Sequence, residues 1–298
     1  MVTSKTYDSL CELGLCSEAS RELFHHGTRD NKNLDVYRDK VSGVIYIRDF
    51  YVGDGEYVSG EYRSHKARRE GKRAALRNLE RVEDCRRRVE SLKEFHCARD
   101  IADFGCGHGD FLAAIRESCR SGVGIELQQD LVDALHRQSI PCVRDLAFLD
   151  DASLDTVFMF HSFEHLPDPL LILRQVKKKL RPGGNLVIEV PHAGDFLLAV
   201  MKEESFVRFT LWSQHLILHT QHSLRVFLEH AGFGNVLVKG IQRYPLANHL
   251  QWLSEHRPGG HLSPLAFLQT PALNDAYGQA LAAAGATDTL LAIGSIPE

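Results

Sequence analysis

From residue 99 onward the chain alternates short apolar runs with amphipathic ones, and that alternation restricts the fold more than any other feature. "RDIADFG" reads as a strand, "DFLAAIRESC" as a helix, "GVGIEL" as a strand, "QDLVDALHRQS" as a helix and "IPCVRDL" as a short strand. "LDTVFMFHS" is again a strand, "DPLLILRQVKKKLRPGG" a helix ended by Pro-Gly-Gly, and "NLVIEVP" a strand. The runs "VGIEL", "TVFMF" and "LVIEV" are almost continuously apolar, as strands buried on both faces must be. The pattern predicts an α/β chain built on a doubly wound parallel sheet, with ligands at the carboxyl ends of its strands.

The first strand runs into a loop that carries chemistry. "IADFGCGHGDFL" sets Asp103, Gly105, Gly107 and Gly109 at two-residue intervals before a helix. Glycines there let a ligand approach the backbone closely. A dinucleotide loop would carry a third glycine where Asp110 stands, and two flanking carboxylates would repel a pyrophosphate. They suit a cofactor with positive charge. Glu126 ends the next strand, where an acid can accept both hydroxyls of a ribose. An adenosine bearing an ammonium and a sulfonium, S-adenosylmethionine, meets all of these demands.

These residues resemble the class I S-adenosylmethionine-dependent methyltransferases, a Rossmann-like fold with seven strands. "DFGCGHG" matches their first motif and "GIEL" the second, with Glu126 on the ribose and Leu127 beside it. "RDLAFL" resembles the third, implying that Asp145 and the Leu146 amide meet the adenine edge. "LDTVFMFHSFEHLPDP" resembles the fourth strand and its loop, with His161 against the donor, and "LRPGGNLVIEVP" the fifth strand. The match covers about residues 95–243. Toward the end, "QHLILHTQHSLRVFLEHAGFGNV" and "RYPLANHLQWLSEHRPGGH" look like methyltransferases of bacterial polysaccharide and nucleotide-sugar clusters. That resemblance implies a sugar acceptor, methylated on oxygen. The alternatives are 2′-O methylation of RNA and O- or C-methylation of another small molecule.

Transfer to a hydroxyl needs a base, and His161, His165 and His192 are the candidates after the fourth and fifth strands. His215, His219 and His222 follow in the next segment. "HSFEH" also resembles the Glu-x-x-Glu-His of magnesium-dependent ubiquinone-pathway and small-RNA methyltransferases, with His161 in place of the first Glu. That would make His161, Glu164 and His165 a metal triad, although imidazole is a poor magnesium ligand. Base, metal ligand and structural roles all stay open.

Around this core, residues 1–60 read as a cap and 61–96 as a basic linking helix; 97–298 read as the methyltransferase domain. In the cap, "LDVYRDKVSGVIYIRDFYV" (34–52) is a hairpin by propensity. The cap also resembles the zinc-binding module of sugar C-methyltransferases, but Asp39 and Ser42 stand where cysteines belong, so no zinc is expected. In the linking helix, Leu76, Leu79, Val82, Val89 and Leu92 form one apolar stripe. Its twelve basic residues against seven acids (Glu61 to Glu94) suit either a solvated face or an anionic substrate.

The last two strands, "FGNVLVKGI" and "DTLLAIGS", are separated by residues 244–287, too long a connection to lack a purpose. Tyr244, Asn248, His249, Trp252, Arg257 and His261 there could grip a sugar, together with Tyr57, Tyr62, Trp212 and His219. The insertion could equally form a helical homodimer contact. No run approaches the roughly 20 apolar residues of a membrane span, and the opening "MVTSKTYDSLCELG" is too polar for a signal peptide. Seven cysteines without a CxxC pair suit a reducing cytoplasm, and a net charge of -4 argues against bulk nucleic-acid binding.

Overall fold

The hairpin expected over 34–52 forms, and it grows into a four-stranded antiparallel sheet. After helix α1 (Thr6–Glu12) come β1 (Arg21–His25), β2 (Val36–Asp39) and β3 (Ile45–Ile47), and the fourth strand is β9 (Ile217–Leu218), far along the chain. Nothing in a two-residue run of Ile-Leu announces that pairing. The computed structural model describes residues 4–53, 55 and 71–298; the side chains of 71–79 and of His261 are outside the description. Tyr57, Tyr62, Arg63, Lys66, Arg68 and Arg69 also lie outside the described residues.

The alternating part forms the expected seven-stranded sheet. Its strands are β4 (Asp100–Phe104), β5 (Ser121–Ile125), β6 (Cys142–Val143), β7 (Leu154–Phe160), β8 (Leu180–Pro191), β10 (Gly234–Ile241) and β11 (Thr289–Ser295). They lie in the order β10-β11-β8-β7-β4-β5-β6. The strands β4 to β8 are parallel and β11 is antiparallel to both neighbours. Since β4 is flanked by β5 on one side and β7 on the other, the winding reverses at β4, and such a switch point opens a crevice at the carboxyl ends.

Helices α2 (Gly71–Ser91), α3 (Lys93–His96), α4 (Asp110–Ile115), α5 (Gln129–Arg137) and α6 (Pro169–Lys179) flank the parallel strands. For α6, Asp168 caps the Leu171 amide, Pro169 opens the first turn, and three lysines face the dipole at its end. The helix stops at Lys179 rather than at Pro-Gly-Gly, because Arg181 precedes a proline and is pushed out of helical geometry. Later come α7 (Glu204–Thr210), α8 (Gln221–His230), α9 (Leu246–Glu255) and α10 (Pro271–Ala283); the last two make up most of the insertion between β10 and β11. No helix among the described residues is long and apolar enough to cross a membrane.

The cap shares the core of the large sheet. Tyr7, Leu10, Leu15 and Tyr46 belong to the same apolar cluster as Val157, Ile188 and Phe227, so the expected boundary at residue 60 does not separate two cores. Asp39 accepts from the Val41 and Ser42 amides (2.9 and 2.8 Å) and from the Ser20 hydroxyl, while Ser42 donates to the Leu15 carbonyl. A hydrogen-bonded turn thus occupies the place of the zinc module's cysteines. Val89 of α2 and Leu92 just after it pack under the sheet as expected, Leu76 and Leu79 lie outside the described side chains, and Val82 is 61% exposed. Ion pairs hold that turn instead: Arg81 to Asp110 at 2.7 Å, and Asp84 to Arg243.

Candidate active site

At the switch point the glycine loop takes left-handed geometry at Gly105, Gly107 and Gly109, with φ of 73°, 56° and 72°. A side chain is excluded at two of them for a second reason. A Cβ on Gly105 would lie 2.9 Å from Ser162 Cβ, and one on Gly109 would force the buried Leu135 side chain to shift. Asp103 is the penultimate residue of β4, buried at the loop's mouth. Burial pushes its carboxyl up to about 7; Arg88 pulls the other way, and Glu126 and Asp110 add to the rise. Glu126 follows β5 and accepts from the amides of Gly107 and Gln128, both at 3.0 Å. Asp145 follows β6 and caps a short turn by accepting from Ala147 N at 2.7 Å; Leu146 is buried and Leu127 is exposed. The three parallel strand ends therefore set Asp103, Glu126 and Asp145 in one row. A negatively lined cradle with buried, unsatisfied Ser162 Oγ beside Gly105 fits a cationic nucleoside.

Comparison with known proteins decides the family. A family model described as a methyltransferase domain matches residues 60–238. The chain belongs to this family. It is 31% identical over 120 residues to a ubiquinone biosynthesis O-methyltransferase of Xanthomonas campestris pv. campestris (strain B100), covering 36% of this chain and 50% of that one. It is 27% identical over 165 residues to a tRNA U34 carboxymethyltransferase of Alteromonas mediterranea, covering 50% and 48%. The chain thus spans about half the length of these curated relatives. A SAM-dependent methyltransferase structure from Archaeoglobus fulgidus superposes with a TM-score of 0.52 at 20% identity, over 72% of this chain and 94% of that one. S-adenosylmethionine is the cofactor this domain's donor loop fits. Asp103 would meet its positive charge, Glu126 its ribose, and Asp145 with Leu146 its adenine.

On the other side of the switch point, at the ends of β7 and β8, the methyltransferase domain carries a buried ionic network. Glu189 of β8 is fully buried, and Arg87 and Arg88 of α2 both bind it, Arg87 through one nitrogen at 2.9 Å to each oxygen and Arg88 at 2.6 Å. Burial opposes its charge, but Arg88, His161 and Arg87 outweigh that and hold the carboxyl well below the usual range. His161, at φ 51°, directs Nε2 to Glu189 (3.3 Å) and Nδ1 to Glu164 (3.5 Å). Arg243 also donates to His161 Nε2 at 2.8 Å, while its remaining nitrogens grip Asp84. A guanidinium has no acceptor, so Nε2 must be the lone-pair nitrogen and Nδ1–H faces Glu164. Glu164 is 1% exposed. Burial opposes its charge too, but His165 and His161 prevail and hold it at about 2.

The structure separates the other candidates. His165 contacts the Gln214 carbonyl through Nδ1 at 2.6 Å and lies edge-on to Trp212 and beside His215. His215, not His161, completes a cluster with Glu164 and His165 whose ligand atoms all lie within 4.8 Å of one another. His161 departs from the expected triad because its Nε2 is engaged by Arg243. His192 is buried with Nδ1 on the Thr287 carbonyl (2.9 Å), and burial lowers its pKa. His219 is sealed between Phe163 and Phe227, and burial drives it to about 3. His222 lies in the first turn of α8, whose cap is Thr220.

The sugar-gripping set is also thinned. Asn248, His249 and Trp252 are buried: Asn248 accepts from the Gly259 amide, and His249 meets the Tyr277 hydroxyl and stacks on Phe196. Trp252 packs on Phe206 and Phe209, and Arg257 pairs with Glu255. Sequence reasoning missed Arg243, Asp84 and Glu189, since an acid inside an apolar strand and an arginine after another carry no local signal of meeting.

Proposed function

We propose that this methyltransferase domain transfers the methyl group of S-adenosylmethionine to a hydroxyl oxygen of a sugar or sugar-like polyol. The observation that carries the hydroxyl is His161, set between the buried carboxylates of Glu164 and Glu189 at the switch point. When bound, the donor supplies an activated methyl, and the protein must hold the acceptor in line and accept its proton. An imidazole that gains a proton there meets negative charge on both sides. An amine or thiol acceptor has far less need of that arrangement. In this reading Asp103 and Glu126 hold the donor, Arg243 holds His161 in the Nδ1–H tautomer, and Nε2 takes the proton once the acceptor hydroxyl displaces Arg243 from it.

The acceptor class rests on narrower support. The segments 211–219 and 242–249 bring Trp212 against His165 on the turn after β7 and Tyr244 beside Arg243, planar and polar groups of the kind that grip a polyol. A nucleic-acid acceptor is less favoured by the described part of the basic helix. Arg81 is paired with Asp110, Arg86 with Glu83 and Glu90, and Arg87 and Arg88 with Glu189. These pairs also remove those arginines as grips for a diphosphate.

The test is methyl transfer from labelled donor to glycans, nucleotide sugars, short RNAs and catechols, with the product position read by mass spectrometry. Methylated sugar hydroxyls support the reading; transfer confined to RNA or to a phenol defeats it. His161→Gln should lower turnover by about 10²–10⁴.

A further inference from the structure

We propose that Glu164, His165 and His215 form a binding site for one divalent transition-metal ion of the zinc class. Two segments build it. Glu164 and His165 lie on the short turn Phe163–His165 after β7, and His215 comes from the stretch before β9. Backbone bonds lock the segments together: the Leu216 amide donates to the Glu164 carbonyl at 2.9 Å, and His165 Nδ1 meets the Gln214 carbonyl.

Each imidazole is set up as a ligand. Nδ1 of His165 lies 2.6 Å from the Gln214 carbonyl, and Nδ1 of His215 lies 3.0 Å from the Thr210 carbonyl. A carbonyl only accepts, so the proton sits on Nδ1 and Nε2 carries the lone pair, the tautomer that binds metals.

The carboxylate asks for a cation. Both Glu164 oxygens are buried without a hydrogen bond, and the approaches of His161 and His165, at 3.5 and 3.9 Å, are too long for one. A charge so placed is costly unless an ion or donor meets it. The ligand atoms lie within 4.8 Å of one another, against roughly 3.3 Å around a tetrahedral ion with bonds of about 2.0–2.1 Å. Small side-chain rotations close that difference. Two nitrogens and one oxygen favour zinc, cobalt or manganese over magnesium, which wants oxygen ligands. Three protein ligands leave a coordination position open, as in catalytic sites. Next to His161, an ion there could polarise the acceptor hydroxyl. Ion binding itself does not rest on the acceptor reading.

The test needs no acceptor. Chelator-treated protein is titrated with Co²⁺ and then Zn²⁺, following visible d–d absorption, calorimetric stoichiometry and melting temperature. One Co²⁺ per chain, displaced by Zn²⁺ and raising the melting temperature, is expected, with no response to equal Mg²⁺. Glu164→Gln and His215→Gln should each weaken Co²⁺ binding at least tenfold, while S-adenosylmethionine affinity reports that the variants stay folded. Cobalt binding unchanged in both variants, no cobalt binding at all, or equal binding of Mg²⁺ would each overturn the proposal.

Discussion

The two sides of the switch point are built differently. On the donor side, Asp103, Gly105, Gly107, Gly109 and Glu126 come from one strand–loop–helix–strand unit and find each other within about twenty residues of chain. On the acceptor side, Glu189 is met by Arg87 and Arg88, about a hundred residues earlier, and His161 by Arg243, 82 residues later. Local geometry organises the first; long-range charge pairing organises the second. Substitutions on the donor side should therefore alter binding more than folding, and those on the acceptor side folding as much as chemistry.

The harshest break of that contrast is Glu189→Gln, which removes the fully buried carboxylate that the partly buried Arg87 and Arg88 share. A loss of about 3–5 kcal/mol is expected in denaturant unfolding. A loss under about 1 kcal/mol would mean that the existing Arg87–Asp84 pair and solvent suffice for the arginines, and that Glu189 is not what holds α2.

Asp103→Asn sharpens the contrast through pH. The folded carboxyl sits at about 7, above its ordinary 3.8. Folding therefore favours the protonated form, and the wild type loses stability as pH rises from about 4 through about 7. Asparagine has no such proton to lose. The variant should be more stable than wild type by on the order of 4 kcal/mol at pH 8, with the gap closing below pH 4, while donor binding falls. Unfolding curves that stay parallel across that range would contradict the burial argument.

Glu126→Ala should weaken S-adenosylmethionine binding by about 1–3 kcal/mol, through lost charge-assisted bonds to the ribose. Calorimetry giving the wild-type affinity would remove Glu126 from the donor site. The smallest effect tests the edge of the acceptor side. Thr220 and Ser223 form a capping box on α8, and Ser223 also meets His219 at 3.1 Å. Thr220→Ala should cost about 1 kcal/mol of stability and leave donor affinity unchanged; a change in donor affinity would show the two sides coupled through β9.

What the sequence determined by itself is whatever depends on local period and local spacing. The alternating apolar runs of 99–191 settle a doubly wound sheet, because each strand and helix buries a face set by its own residues. The glycine loop, Asp103 and Glu126 are legible for the same reason: turn geometry and strand ends place them without help from distant chain. Tertiary structure decided the rest. It gave the cap its fourth strand from 217–218, packed Trp252 on Phe206 and Phe209 and His249 on Phe196, and closed the Glu164–His165 cluster with His215. Which charges pair inside a protein depends on which segments are buried against one another, and burial makes an unpaired charge too costly to keep. That choice belongs to the folded chain as a whole, and no window of sequence contains it.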